Sequence, residues 1–274
     1  MPELPEVETV ARDLRAAVVG RRVMSVQLGH PQVLRFPVPE VFSAVLPGQR
    51  VDAVTRRGKF IFCALQGGED LVFHLGMTGH VLVCDARAEP APHTHLRALL
   101  DDGRELRYDD ARRFGRILLG PRTTLEDTRV LPVLGVEPLS DDFTSARLDR
   151  VLRSTTRTVK AALLDQRGVA GLGNIYVDEA CHLAGVRPQR RCHTLTRAQR
   201  AALHAAIPAV LVSAIGNRGS SIDDYRDIWN AKGSNQERLQ VYGRGGQPCL
   251  RCGTILKRAT VAGRTTVWCP NCQR

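Results

Sequence analysis

A chain of 274 residues is long enough for two modest domains, or for one domain with a small module. Its 39 lysines and arginines outweigh 28 acidic residues, and the resulting formal charge of +11 points to a polyanionic partner such as nucleic acid. No basic amphipathic helix stands out, no apolar run reads as a membrane span, and the acidic N-terminus is unlike a secretory signal. A soluble, cytoplasmic protein without a membrane partner is therefore expected.

The chain opens Met1-Pro2-Glu3-Leu4-Pro5-Glu6. Methionine before a small residue is normally trimmed, which leaves Pro2 as an N-terminal secondary amine. An α-amino group titrates near 8, so roughly a tenth of it is neutral and nucleophilic at pH 7. A secondary amine that attacks a sugar aldehyde gives an iminium ion, which cannot shed its charge by losing an N–H proton. Such an ion is an electron sink for eliminating a leaving group β to the carbon attacked. Pro5 suits the first turn of a helix, and Val7, Val10, Ala11, Leu14 and Val18 share one apolar face. Gly20 supplies the stop, so the spacing predicts a helix over 5–19. The positive end of that helix lowers the pKa of the Pro2 amine. Glu3 is the adjacent carboxylate, able to donate a proton or stabilise an oxocarbenium ion, and Glu6 opens the helix.

Short apolar or β-branched segments follow at 22–28, 49–55, 59–65, 71–75, 80–83, 96–100, 105–108 and 114–119. Gly67-Gly68 and the hairpin signal Asp102-Gly103 separate some of them, so an antiparallel sandwich or barrel is predicted, with the first helix alongside. Pro121, Pro132 and Pro138 punctuate a linker. Helices are predicted at 145–153, 159–165, 175–184 and 197–215, with Pro208 kinking the last. Between the second and third lies Gly168-Val-Ala-Gly-Leu-Gly-Asn174, a glycine-rich loop feeding a helix N-terminus and so a candidate phosphate cradle. A second loop, expected to be flexible, spans 216–221.

Of eight cysteines, Cys63, Cys84, Cys181 and Cys192 are scattered and read as buried or inert thiols. The others form Cys249-x2-Cys252, sixteen intervening residues, then Cys269-x2-Cys272, which is zinc-ribbon spacing. Four cysteines fill a tetrahedral shell, so the zinc is structural. The intervening residues can form a hairpin, and they carry Lys257, Arg258 and Arg264 for contact with phosphate. Paired disulfides are the competing reading, disfavoured in an intracellular chain.

Six landmarks in order, namely Pro2-Glu-Leu-Pro-Glu6, His74-Leu-Gly-Met77-Thr-Gly79, Arg112-Arg-Phe-Gly115, Gly171-Leu-Gly-Asn-Ile-Tyr176, Gln240-Val-Tyr-Gly-Arg244 and the cysteine ribbon, resemble the formamidopyrimidine-DNA glycosylase family. The resemblance implies a multidomain α+β chain. Its parts would be an N-terminal antiparallel β-sandwich with a leading helix over 1–125, a helix-two-turn-helix domain over 132–222 whose turn is the 171–176 loop, and a β-hairpin zinc ribbon over 238–274. The implied activity is excision of oxidised purines from duplex DNA followed by β,δ-elimination at the abasic site, by a monomer holding one zinc ion. By motif position Pro2 is the Schiff-base nucleophile, Glu3 the proton donor, Lys59 the acid of β-elimination, and Arg264 a support for δ-elimination. Met77, Arg112 and Phe114 match the residues that fill the hole left by the flipped nucleotide, an extrusion that costs a few kcal/mol. His74, Lys160, Asn174 and Arg264 match phosphate contacts, His93 a DNA-binding histidine, and Ser220 and Ser221 a loop that folds over the flipped base. The chain departs from the family in having Ala111 where proline commonly precedes the arginine pair. Two alternatives stay open: an endonuclease VIII-like enzyme for oxidised pyrimidines, in which glycine usually stands at the position of Leu4, and a non-catalytic zinc-ribbon DNA-binding protein.

Overall fold

A computed structural model describes every residue except Asp223. By compactness the chain forms two units: Met1–Val133 with Asn217–Ser234, and Leu134–Gly216 with Asn235–Arg274. The helical segment and the cysteine ribbon thus share one unit, and residues 217–234 belong with the strands.

In the first unit, helix α1 (Leu4–Val18) buries Leu4, Val7, Val10, Ala11, Leu14 and Val18, the face expected from the spacing. Gly20, at φ 84°, ends it. The strands are β1 (Val23–Leu28), β2 (Leu34–Phe36), β3 (Val51–Arg57), β4 (Phe60–Leu65), β5 (Glu69–His74), β6 (Gly79–Asp85), β7 (Thr94–Leu100), β8 (Arg104–Asp110) and β9 (Arg116–Pro121). They form two sheets, ordered β1-β7-β8-β6 and β2-β9-β5-β4-β3. Residues from both, including Val81, Leu96, Leu106 and Tyr108 from one and Val54, Ile61, Leu71, Phe73 and Ile117 from the other, share a single core with α1. This is the expected sandwich, with each of the eight expected strands present. It departs from a purely antiparallel arrangement where β2 pairs parallel to β9. The segments missed by sequence reading are brief: three-residue β2, α2 (Pro39–Val45), which buries only Phe42, and α3 (Arg122–Asp127), which buries only Leu125.

Two side chains pin α1 to β3. Arg15 Nε donates to Val54 O (2.8 Å), and the buried Arg56 guanidinium pairs with Glu8 (2.8 Å). The pairing of Arg15 with Val54 and of Glu8 with Arg56 fixes direction: the N-terminal end of α1 runs toward the β3–β4 turn.

In the second unit, α4 (Ser145–Arg153) and α5 (Val159–Leu164) are N-capped by Thr144 and Thr158, whose hydroxyl oxygens accept from Arg147 N–H and Ala161 N–H. Helix α6 (Asn174–Leu183) begins within the stretch expected to be loop, so the turn before it is 165–173. Gln166 staples that turn: its Oε1 accepts from Gly171 N–H (2.9 Å), and its Nε2 donates to Leu164 O and Leu172 O. Helix α7 (Arg197–Gly216) continues through Pro208. Contrary to the sequence expectation, α7 is long and apolar enough, by length and composition alone, to cross a membrane, with a mean hydropathy of 1.3. Its leucines, isoleucines and valines supply most of that value; Leu203, Ile207 and Leu211 are buried within the unit, whereas Val212 is exposed. Strands β10 (Lys257–Val261) and β11 (Arg264–Trp268) form the expected hairpin. Ala262 and Gly263, both at positive φ (51° and 70°), make its tight turn.

Candidate active site

Pro2 and Glu3 are buried at the start of α1, with Glu3 as its N-cap residue. Glu6 is also buried, and does more than complement the helix dipole. Its Oε2 accepts from Glu3 N–H (2.8 Å), and its Oε1 accepts from Ser220 N–H (2.7 Å). One carboxylate therefore ties the cap carrying the candidate nucleophile to the loop expected to cover the flipped base. That loop is bonded at several points rather than loose. Arg218 bridges Asp13 and Asp227, Ser221 Oγ donates to Tyr225 O (2.9 Å) and accepts from Gly233 N–H (3.0 Å), and Tyr225 OH reaches Glu6 O (3.4 Å). Gly219 sits at φ 76° so close to Glu6 that a Cβ there would lie 2.8 Å from its Oε1.

Lys59 follows Gly58 in the two-residue β3–β4 turn, where Gly58 supplies a positive φ of 56°. Its side chain is buried, and its charge reaches the neighbouring His74. His74 packs against Phe60 with ring centroids 4.7 Å apart and the ring planes tilted by 41°. Burial, assisted by Arg116 and Lys59, lowers the His74 pKa to about 4, so the imidazole is neutral at pH 7. Its Nδ1 accepts from Gly76 N–H (3.3 Å), which leaves the proton on Nε2 as a donor.

Met77, Arg112 and Phe114 are presented together. Met77 is 36% and Phe114 52% exposed, and the Arg112 guanidinium lies 4.6 Å from the centroid of the Phe114 ring. The residue that organises them was not apparent in the sequence. Asp110, fully buried, accepts from Thr78 Oγ1 (2.6 Å) and from Gly115 N–H (2.7 Å), while its backbone O accepts from Arg113 N–H (3.2 Å) and meets His95 Nε2 (2.9 Å). Thr78 Oγ1 in turn accepts from Arg112 N–H (3.3 Å). The Met77 and Arg112 loops also touch directly: a Cβ on Gly76 would lie 2.5 Å from Gly115 N. His93 is exposed, and its backbone O accepts from Asp110 N–H (3.0 Å). Asp110→Ala removes both side-chain acceptors and leaves the buried Gly115 N–H without its partner. It should cost about 3 kcal/mol, the scale of a buried donor stranded by loss of a charged acceptor. An unchanged urea midpoint would show that Asp110 is not the hub.

In the second unit, Lys160 is not available to phosphate. It is 0% exposed, its Nζ pairs with Asp178 (2.7 Å), and it donates to Thr265 O (3.1 Å). The expectation of a phosphate contact there is corrected. A lysine on a short helix reads as solvated, but this one is enclosed because its charge is matched inside the fold. Asp178 Oδ2 also accepts from Val267 N–H (3.0 Å), so the pair grips β11 behind Arg264. Burial pushes the Asp178 carboxyl up to about 6, against the pull of Lys160. Glu179, raised by burial, accepts from the backbone N–H groups of Gln240, Val241 and Tyr242 at 2.8–2.9 Å. Asn174 begins α6 with its Oδ1 buried and without a hydrogen-bond partner among the described residues. Arg264 is exposed at the start of β11, beside the hairpin turn.

The ligating sulfurs of Cys249, Cys252, Cys269 and Cys272 all lie within 4.8 Å of one another, and those of Cys252 and Cys269 are 3.5 Å apart. Zinc–sulfur bonds of about 2.3 Å in a tetrahedron require sulfurs roughly 3.8 Å apart, so the cluster fits one structural zinc ion.

Three family models match in the order of these parts: the formamidopyrimidine-DNA glycosylase N-terminal domain over 1–117, its H2TH domain over 134–226, and the zinc finger found in FPG and IleRS over 246–274. A formamidopyrimidine-DNA glycosylase of Chloroflexus aggregans is 48% identical over 277 residues, covering 100% of this chain and 98% of the relative. A mutant of the Lactococcus lactis FPG in complex with a Fapy-dG containing DNA superposes with a TM-score of 0.93 at 36% identity, over 100% of both chains. The Lactococcus lactis Fpg with an abasic site containing DNA gives a TM-score of 0.91 at 35% identity, over 99% of both chains. Fold, cysteine cluster and matches together define a zinc-finger DNA glycosylase of DNA repair. The chain belongs to the formamidopyrimidine-DNA glycosylase family.

Proposed function

We propose that this chain excises oxidised purines from duplex DNA through a Schiff base at Pro2 and then cleaves the strand by β,δ-elimination. The Pro2 amine forms a bond to C1′ of the damaged nucleotide as the bond to the base breaks. Glu3 supplies the proton or shields the developing oxocarbenium ion. The C1′–O4′ bond then opens, O4′ taking a proton, to give the iminium ion. This acidifies the neighbouring C2′–H, whose proton passes to water as the 3′ phosphate leaves with Lys59 as acid, and Arg264 supports departure of the 5′ phosphate. Met77, Arg112 and Phe114 occupy the hole left by the flipped nucleotide, while neutral His74, Asn174 and Arg264 hold phosphates, His93 binds the DNA strand, and Ser220 and Ser221 belong to the loop over the flipped base. The zinc ion holds the hairpin and takes no part in the chemistry.

One observation carries this reading. The Arg15–Val54 and Glu8–Arg56 contacts bring the Pro2-Glu3 cap and the Gly58-Lys59 turn to the same end of the α1–β3 pair. A non-catalytic DNA-binding protein has no need to bury an N-terminal proline, a glutamate and a lysine there.

Purines are preferred over pyrimidines in this reading because Leu4, fully buried, stands where endonuclease VIII-like enzymes usually have glycine. Duplexes carrying 8-oxoguanine opposite cytosine and an oxidised pyrimidine opposite adenine separate the two. We expect kcat/KM to favour the purine by at least about tenfold, a difference of about 1.4 kcal/mol. The reverse order would sink the purine reading while leaving the Schiff-base chemistry standing.

A further inference from the structure

Helix α6 touches the metal centre with a side chain that none of the roles above uses. His182 lies in its last turn, only 4% exposed, and its Nε2 is 3.7 Å from Cys249 Sγ. Cys249 is itself buried. A thiolate bound to zinc keeps lone pairs that accept weak N–H···S hydrogen bonds, and such a donor drains charge from the sulfur and fixes its direction. The four cysteines already complete a tetrahedral shell, so His182 is placed to serve that shell rather than to join it. One turn earlier, Glu179 holds the backbone of residues 240–242, which leads to Cys249. The same helix therefore grips the chain at both ends of the segment that delivers the first ligand. A cavity of about 730 Å³, bordered by Glu179, His182, Arg238, Gln240, Leu250 and Arg251, opens beside His182.

We propose that His182 is a positioning residue of the zinc centre: its Nε2–H donates to the Cys249 thiolate, anchoring the metal site to α6 and slowing release of the ion. The inference depends on the zinc site alone and not on the proposed catalysis.

Two substitutions in the full-length, zinc-loaded protein separate hydrogen bonding from packing. His182→Phe keeps a ring and loses the donor, whereas His182→Gln keeps an N–H donor. Zinc transfer to a chromogenic chelator should be about tenfold faster for His182→Phe, the lower end of the range for lost outer-shell partners, and close to normal for His182→Gln. Equal rates for all three proteins, or equal acceleration in both variants, would overturn the proposal. Cobalt substitution gives a second reading. The sulfur-to-cobalt charge-transfer band should move to lower energy in His182→Phe, because a thiolate without its hydrogen bond is easier to oxidise. A band that stays in place would overturn the proposal as well.

Discussion

Pro2→Gly should lower both excision and strand cleavage by roughly 10⁴-fold or more, the scale on which loss of a covalent nucleophile is felt. Retention of Met1 should do the same, since it converts the Pro2 nitrogen into an amide with no available lone pair. Glycine leaves a primary amine, whose imine can shed a proton and stop being an electron sink. Affinity for abasic-site DNA should change little, because phosphate contacts supply most of the binding and the +11 charge is untouched. The contrast between lost chemistry and retained binding is what a filter-binding assay run beside borohydride trapping would read. Loss of both together would mean that the N-terminus shapes the DNA surface instead of reacting.

Cys269→Ser should have the second largest effect. The hairpin's own core is small, comprising Val241, Cys249, Leu256, Val267 and Cys269, and two of these five residues are themselves metal ligands. A core of that size does not fold without its ion. Zinc should be lost and the last thirty or so residues become protease-sensitive. The disorder should spread to β11, releasing the Val267 and Thr265 contacts that Asp178 and Lys160 make. Lys257, Arg258 and Arg264 then lose their fixed positions, so DNA affinity should fall at least about tenfold and its salt slope by two to three, roughly one per phosphate contact. The strand-rich first unit should stay folded, with a near-normal strand signal in circular dichroism. Full affinity in a protein shown to be free of zinc would mean that the hairpin is no DNA clamp.

Much of this architecture is local, and local features were legible. The apolar face of α1 repeats with helical spacing, the strands are bounded by turn residues, and two Cys-x2-Cys knuckles announce a metal. The residues that sequence reading missed act at long range. Glu6, Asp178 and Glu179 are carboxylates that accept from backbone N–H groups at least 61 residues away, Asp110 joins Gly115 to the distant Thr78 hydroxyl, and nothing in their neighbours marks them. Lys160 failed for the complementary reason: its motif position pointed to phosphate, but a carboxylate eighteen residues away encloses it. Residues 216–221 read as the end of the helical region, whereas 217–234 belong with the strands. Their attachment to α1 through Glu6, Asp13 and Arg218 depends on pairings more than 200 residues apart. The α7 helix shows the limit of composition, since a partly buried helix of a folded unit can match a membrane span in length and hydropathy.

The central claim is that the Pro2 nitrogen forms the covalent bond. Mapping the borohydride-trapped complex tests it most directly: the enzyme is reduced on an 8-oxoguanine duplex, digested, and the sugar-modified peptide sequenced by mass spectrometry. The account predicts the modification on the N-terminal peptide, at the nitrogen of a Pro2 from which Met1 has been removed. A modification on Lys59 or any other lysine, with an unmodified N-terminus, would contradict it.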